Sequence, residues 1–216
     1  MNKGRSFFAV HTLPISGRFC DNWDMIHTNK TYAGDELAGQ QFVDARFSQC
    51  SFPEANLKFT SFRNCTFTAC DLSGVILDGT NFTSCAFPEC KLSNLNFFSV
   101  TFAKCDFSAS VMQNCVFEHL RAGGKSQATR FNLTDTDFTD TDLTGSVFFL
   151  CDLTDAKFQS ANLERTTFDR CILKKADLTG ATMDGIRFID CKVEKTVLDV
   201  QGFISYGLAN GFEMKK

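Results

Sequence analysis

FVDARFSQCSFPEANLKFTSF, residues 42–62, places a large apolar side chain at every fifth position: Phe42, Phe47, Phe52, Leu57 and Phe62. Outward from this stretch the pattern runs without exception from Leu37 to Phe117, and a second unbroken series runs from Leu133 to Leu198. Together they make 31 units of five residues in a chain of 216. A period of five fits neither the 3.6 residues of an α-helical turn nor the two-residue alternation of an ordinary strand. It fits a solenoid in which each unit sends one large residue inward and then turns.

A second inward position supports this. Two residues before most large centres stands a small residue, as at Ala45, Cys50, Ala55, Thr60, Cys65 and Cys70. Asn, Asp, Ser, Thr and Gly fill many of the remaining positions, as corners require. Composition also recurs at twenty. Phe42, Phe62, Phe82 and Phe102 form one column, Phe47, Phe67, Phe87 and Phe107 another, and Phe148, Phe168 and Phe188 line up later in the chain. Four units per coil predict a four-sided tube with like residues stacked at a strand spacing of about 4.8 Å, hence a rod of roughly 37 Å.

Tandem units such as Ala55-Asn56-Leu57, Ala161-Asn162-Leu163 and Ala176-Asp177-Leu178 resemble those of the pentapeptide-repeat proteins. The resemblance extends from about Tyr32 to Leu198 and implies an all-β, right-handed quadrilateral β-helix of about eight coils. Three segments stand outside the pattern. Residues 1–31 hold Trp23, His11 and His27, and are either a cap on the first coil or a partner-binding arm. Residues 118–132 interrupt the helix 32–199. The centres Phe117 and Leu133 lie sixteen apart, one residue more than three units, and Gly123 and Gly124 signal a projecting loop. Gly-Gly-Lys-Ser (123–126) lacks the spacing of a phosphate-binding loop. Residues 200–216 either cap the last coil or form a dimer patch through Phe203, Ile204, Tyr206, Leu208 and Phe212. Gly202, Gly207 and Gly211 argue against a long helix there.

Composition narrows the function. No apolar run is long enough to span a membrane, and the apolar stretch Phe7 to Val10 is too short for a signal peptide, so a cytoplasmic protein is expected. Ten of the eleven cysteines, all but Cys20, hold the small inward position, where they act as buried apolar side chains. Their spacing lacks the close ligand pairs of zinc sites, and no cofactor or metal is expected. Histidines lie apart from any nucleophile and the inward positions are apolar, so an enzyme is not expected.

Charge is uneven. The blocks 33–117 and 131–199 carry 13 basic and 21 acidic residues, net −8, while the rest of the chain restores the overall −3. Asp135, Asp137, Asp140, Asp142, Asp152 and Asp155 occur with no Lys or Arg between Phe131 and Ala156, each at an outward position flanking a corner. They serve either as turn-forming, solubilising residues or as an acidic face for a basic groove. Within the family, the entry Tyr32-Ala33-Gly34-Asp35-Glu36-Leu37, the single loop and the apolar C-terminal end resemble the Qnr-type quinolone-resistance proteins. That likeness implies a DNA-mimicking rod that binds and protects type II topoisomerases, dimerises through its C-terminus, and does not itself bind nucleic acid. The acidic aspartates would then stand in for phosphates, with His119, Arg121, Lys125 and Arg130 of the loop touching the enzyme. The alternative is a bacterial effector or scaffold that binds another protein through the N-terminal arm and the loop.

Overall fold

Each five-residue unit forms one short side of a square and one corner. The computed structural model describes residues 25–119 and 129–215. Strands are only two or three residues long. Gln41–Val43, Ser61–Arg63, Asn81–Thr83 and Thr101–Ala103 pair in parallel along one side, with Phe42 opposite Phe62 and Phe62 opposite Phe82. Partners twenty residues apart mean four units per coil, and the fold is the expected quadrilateral β-helix. Among the described residues no helix is long and apolar enough to cross a membrane.

The centres fill the square. Successive rings in one column lie nearly parallel, Phe62 over Phe82 at 5.1 Å and 6°, Phe47 over Phe67 at 4.7 Å and 5°. Rings on adjacent sides meet edge to face, as Phe62 and Phe67 do at 5.2 Å and 73°. Such pairs add about 0.5–1.5 kcal/mol each beyond the apolar area they bury. The backbone is satisfied between coils. The centre amide of Phe52 donates forward to the carbonyl of Asp71 at 2.9 Å, and the amide of Asp71 donates back to Cys50 at 2.9 Å. Corner amides join in, with Asp44 donating to Arg63 at 3.0 Å.

These bonds hold corners that many side chains would avoid. The second residue after nearly every centre takes a left-handed backbone, which suits Asn29, Asp44 and Gly74. Phe59 at φ 57°, Lys104 at 53° and Leu150 at 52° adopt it too, against a local cost of about 1–2 kcal/mol each.

The small inward residue has a polar task as well. The thiols of Cys90 and Cys115 donate to the centre carbonyls of Phe67 and Leu92 in the preceding coil, at 3.1 and 3.0 Å. The hydroxyls of Thr60 and Thr80 do the same to Leu37 and Leu57, both at 2.7 Å. Cys and Thr therefore interchange because both are small and both donate, a role beyond the apolar one expected of cysteine. Burial pushes the Cys105 thiol up to about 11, so it stays protonated and able to donate.

The structure revises three expectations. The register across the loop shifts from 20 to 31 residues, with Asp106 opposite Asp137, Val111 opposite Asp142 and Phe117 opposite Phe148. Phe117 and Leu133 are thus consecutive centres with eleven residues inserted in a single unit, not one residue added to three units. Second, the ladder begins earlier than an apolar count detects. His27 occupies a centre, buried, with its ring stacked on Phe47 at 4.4 Å and Nδ1 2.6 Å from the Tyr32 hydroxyl. Third, Val200–Ala209 is a ten-residue α-helix despite its glycines. Asp199 caps it, accepting from the Gly202 amide at 2.7 Å while its other oxygen accepts from Gly180 of the last complete coil at 2.8 Å. Gly202 belongs there because a Cβ would stand 3.2 Å from Leu198 Cδ2, so the helix backbone can lie directly on the coil.

Replacing Phe62 by Ala is expected to lower the unfolding free energy by about 3–5 kcal/mol in urea titrations. Cys90→Ser, which keeps the donor to Phe67, is expected to be more stable than Cys90→Ala by about 1 kcal/mol in the same assay.

Candidate partner-binding surface

Because consecutive units occupy consecutive sides, residues close in sequence point in different directions. The sides are numbered here by their centres: side one carries His27 and Phe47, side two Tyr32 and Phe52, side three Leu37 and Leu57, side four Phe42 and Phe62. Asp137 and Asp140 flank Phe138 on side one, Asp142 precedes Leu143 on side two, and Asp135, Asp152 and Asp155 flank Leu133 and Leu153 on side four. The six aspartates wind around three sides rather than forming one stripe.

Their local roles fall into two groups. Asp137, Asp142 and Asp152 precede a centre, and each Oδ1 accepts the amide two residues on: Thr139 at 3.0 Å, Thr144 at 3.0 Å and Thr154 at 3.1 Å. Asp71, Asp106 and Asp177 make the same bond elsewhere, as do Asn56 and Asn162. This contact fastens the corner that follows. Asp135, Asp140 and Asp155 occupy left-handed corners, all at φ 56°, which Asp tolerates better than most residues.

Neighbouring coils neutralise part of this charge. Lys157 reaches Asp137 at 3.0 Å, Lys175 reaches Asp155 at 3.5 Å, and the Gln113 amide donates to Asp142 at 2.6 Å. Partial burial works to raise the Asp137 carboxyl, yet the bonds from Thr139 and Lys157 outweigh it and hold the pKa below the ordinary value. Asp142 is lowered in the same way: Thr144 and Gln113 overcome the effect of burial. Asp135 and Asp140 have no ion-pair partner among the described residues, which leaves them the more available to an outside cation.

Of the loop residues, Arg121 and Lys125 lie outside the described residues. His119 packs against Phe131 with ring centroids 4.7 Å apart. Arg130 turns back onto the rod, where Nη1 donates to the carbonyl of Arg170 at 2.6 Å. At the C-terminus the helix separates the five apolar candidates. Tyr206 reaches inward to Phe188 at 5.1 Å and Ile204 is half-buried, whereas Phe203, Leu208 and Phe212 are exposed together with Met214. One set therefore caps the coil and the other remains open. Counting inward residues missed the outer surface of side three. It carries Ile76, Phe98, Val116, Val147 and Phe149 beside the centres, with Phe59 and Leu150 at its corners, and Phe59 lies over Gly79. The signal was present in the outward positions of every fourth unit.

Parallel coils stacked at a twenty-residue spacing, with acidic residues on three sides and apolar ones on the outer face of the fourth, define a four-sided β-solenoid. The model for pentapeptide repeats matches residues 41–79, 66–102, 76–114 and 151–188, and the chain belongs to that family. Among solved structures it is similar to a trypsin-treated variant of QnrB1, a plasmid-mediated fluoroquinolone resistance protein, with 17% identity and a TM-score of 0.50, covering 88% of this chain and 97% of that one. Full-length QnrB1 gives 17% identity and a TM-score of 0.47, covering 87% and 100% of the two chains. HetL, a pentapeptide repeat protein of heterocyst differentiation regulation from the cyanobacterium Nostoc, gives 18% and 0.27, covering 80% and 86%. No curated protein matches the sequence. At 17% identity and a TM-score of 0.50, the likeness to the trypsin-treated variant bears on the fold alone.

Asp137 provides a pH test. Its folded pKa lies below its unfolded value of about 3.9, so its stabilising effect is present above that pH and is lost as pH falls through the folded pKa. The stability difference between the native chain and Asp137→Ala is expected to be constant from pH 7 to 5 and to shrink below about pH 4 in urea titrations.

Proposed function

We propose that this protein is a non-enzymatic interaction protein that enters the basic DNA-binding groove of a type II topoisomerase and protects the enzyme from quinolones. The observation that carries the proposal is the placement of net charge −8 on the repeat blocks, with the six aspartates wound around three sides of the β-helix. A groove that encloses duplex DNA meets charge from several directions, so acids on several sides suit it better than a single stripe. Asp135 and Asp140 would be the principal phosphate stand-ins, supported by Asp137, Asp142, Asp152 and Asp155. Arg121 and Lys125 in the loop would contact the enzyme. The exposed Phe203, Leu208 and Phe212 would join two copies through their C-termini, giving a rod of double length. Such a protein would act in the cytoplasm beside its target and would not bind nucleic acid directly.

A DNA gyrase supercoiling assay with a fluoroquinolone tests this. The native chain is expected to restore supercoiling, and its effect is expected to weaken steeply with added salt. Changing Asp135, Asp137, Asp140 and Asp142 together to Asn is expected to abolish rescue while preserving the fold, since Asn keeps the oxygen that fastens the corner. Failure of the native chain to rescue would refute the proposal. Rescue by the fourfold variant would refute the acidic mechanism. Rescue lost on deletion of residues 1–24, with the acids intact, would move recognition to the N-terminal arm.

A further inference from the structure

The column of centres on side four narrows along the rod, from Phe42, Phe62, Phe82 and Phe102 to Leu133, Leu153 and Leu173, and then to Val193. The last coil is therefore least filled on this side. The C-terminal helix does not make up the difference. Its Gly202 presses on Leu198 of side one, and its Tyr206 meets Phe188 of side three, which leaves the end of side four open. A hollow of about 280 Å³ results, walled by Leu173, Phe188, Val193, Leu198, Phe203 and Tyr206. Val193 is 48% exposed where the centres above it on this side are buried. Among the described residues Lys195 is the only charged one on the wall and makes no ion pair, whereas Lys174 and Lys175 pair with Glu194 and Asp155.

We propose that this hollow is a binding site for a small amphipathic carboxylate, of which a medium-chain fatty acid is the simplest. The aliphatic tail continues the interrupted column over Val193, burying apolar surface that the coil leaves in water. The carboxylate lies at the rim against the Lys195 ammonium. The site lies at the end of side four but includes none of the six aspartates in its wall, and it does not depend on the partner proposed for them.

Sodium octanoate is the probe, titrated into the full chain and followed by NMR of the side-chain methyl groups. Saturable shifts are expected at Val193, Leu173 and Leu198, with intermolecular contacts between octanoate methylenes and Phe188. Val193→Phe, which extends the aromatic size seen earlier in the column, is expected to abolish binding, and Val193→Leu to weaken it. Lys195→Gln is expected to weaken octanoate about tenfold and to leave 1-octanol unaffected, since only the former carries the charge that Lys195 meets. The proposal is overturned if no saturable binding occurs, or if the intermolecular contacts fall instead on Leu208 of the helix and Phe212 beyond it. It is also overturned if a folded Val193→Phe protein binds as well as the native one.

Discussion

The register between neighbouring coils is the constraint on which the rest of the molecule depends. With partners twenty residues apart, Phe62 lies over Phe82 and the two amides around each centre bond to coils on opposite sides. The stacking and the hydrogen-bond ladder favour the same alignment, so neither can slip without breaking the other. That agreement accounts for left-handed corners at Phe59 and Leu150, whose side chains resist such a backbone when considered alone. It also explains the third inward feature, the thiol or hydroxyl that bonds to a centre carbonyl one coil back. The Ser146 hydroxyl maintains this contact across the inserted loop, donating to Met112 at 2.7 Å.

A fold determined by its interior leaves its exterior free to vary. Charges, amides and even rings occur at outward positions without disturbing the stack, and the sides have diverged accordingly. Side one stacks Asp106 directly beside Asp137, a repulsive pair relieved by Lys157. Side three exposes apolar residues instead. Asp135 and Asp140 stand exposed at left-handed corners and make no ion pair among the described residues. The same logic applies to the C-terminal end, where the stack must stop. A helix fastened by Asp199 covers part of the last coil and leaves apolar side chains in water on both of its faces.

How much of this the sequence disclosed depended on whether one position carried the information. The centres did, because a large apolar residue at every fifth position has no other simple explanation, and the twenty-residue recurrence of Phe showed the number of sides. His27 escaped because it fills a centre with a polar ring that the interior accommodates through Tyr32. The insertion was misjudged because sixteen residues divide almost as well into three units as into one unit plus eleven, and only the pairing of Asp106 with Asp137 decides between them. The helix at Val200 was hidden by Gly202, whose purpose is close approach to Leu198 and cannot be seen without that neighbour. For the candidate surface, the identity of the acidic residues was legible but their direction was not. Asp137 and Asp142 are five residues apart and face different sides, a consequence of the corner between them.

The most direct measurement is the contact made by the Phe107 ring across the insertion, observed through nuclear Overhauser effects in solution. A strong contact is expected with Phe138, whose ring centroid lies 5.5 Å away at an angle of 12°. A Phe107 ring in contact with residue 127, as an uninterrupted twenty-residue register requires, or exposed to water with no aromatic neighbour, would contradict it.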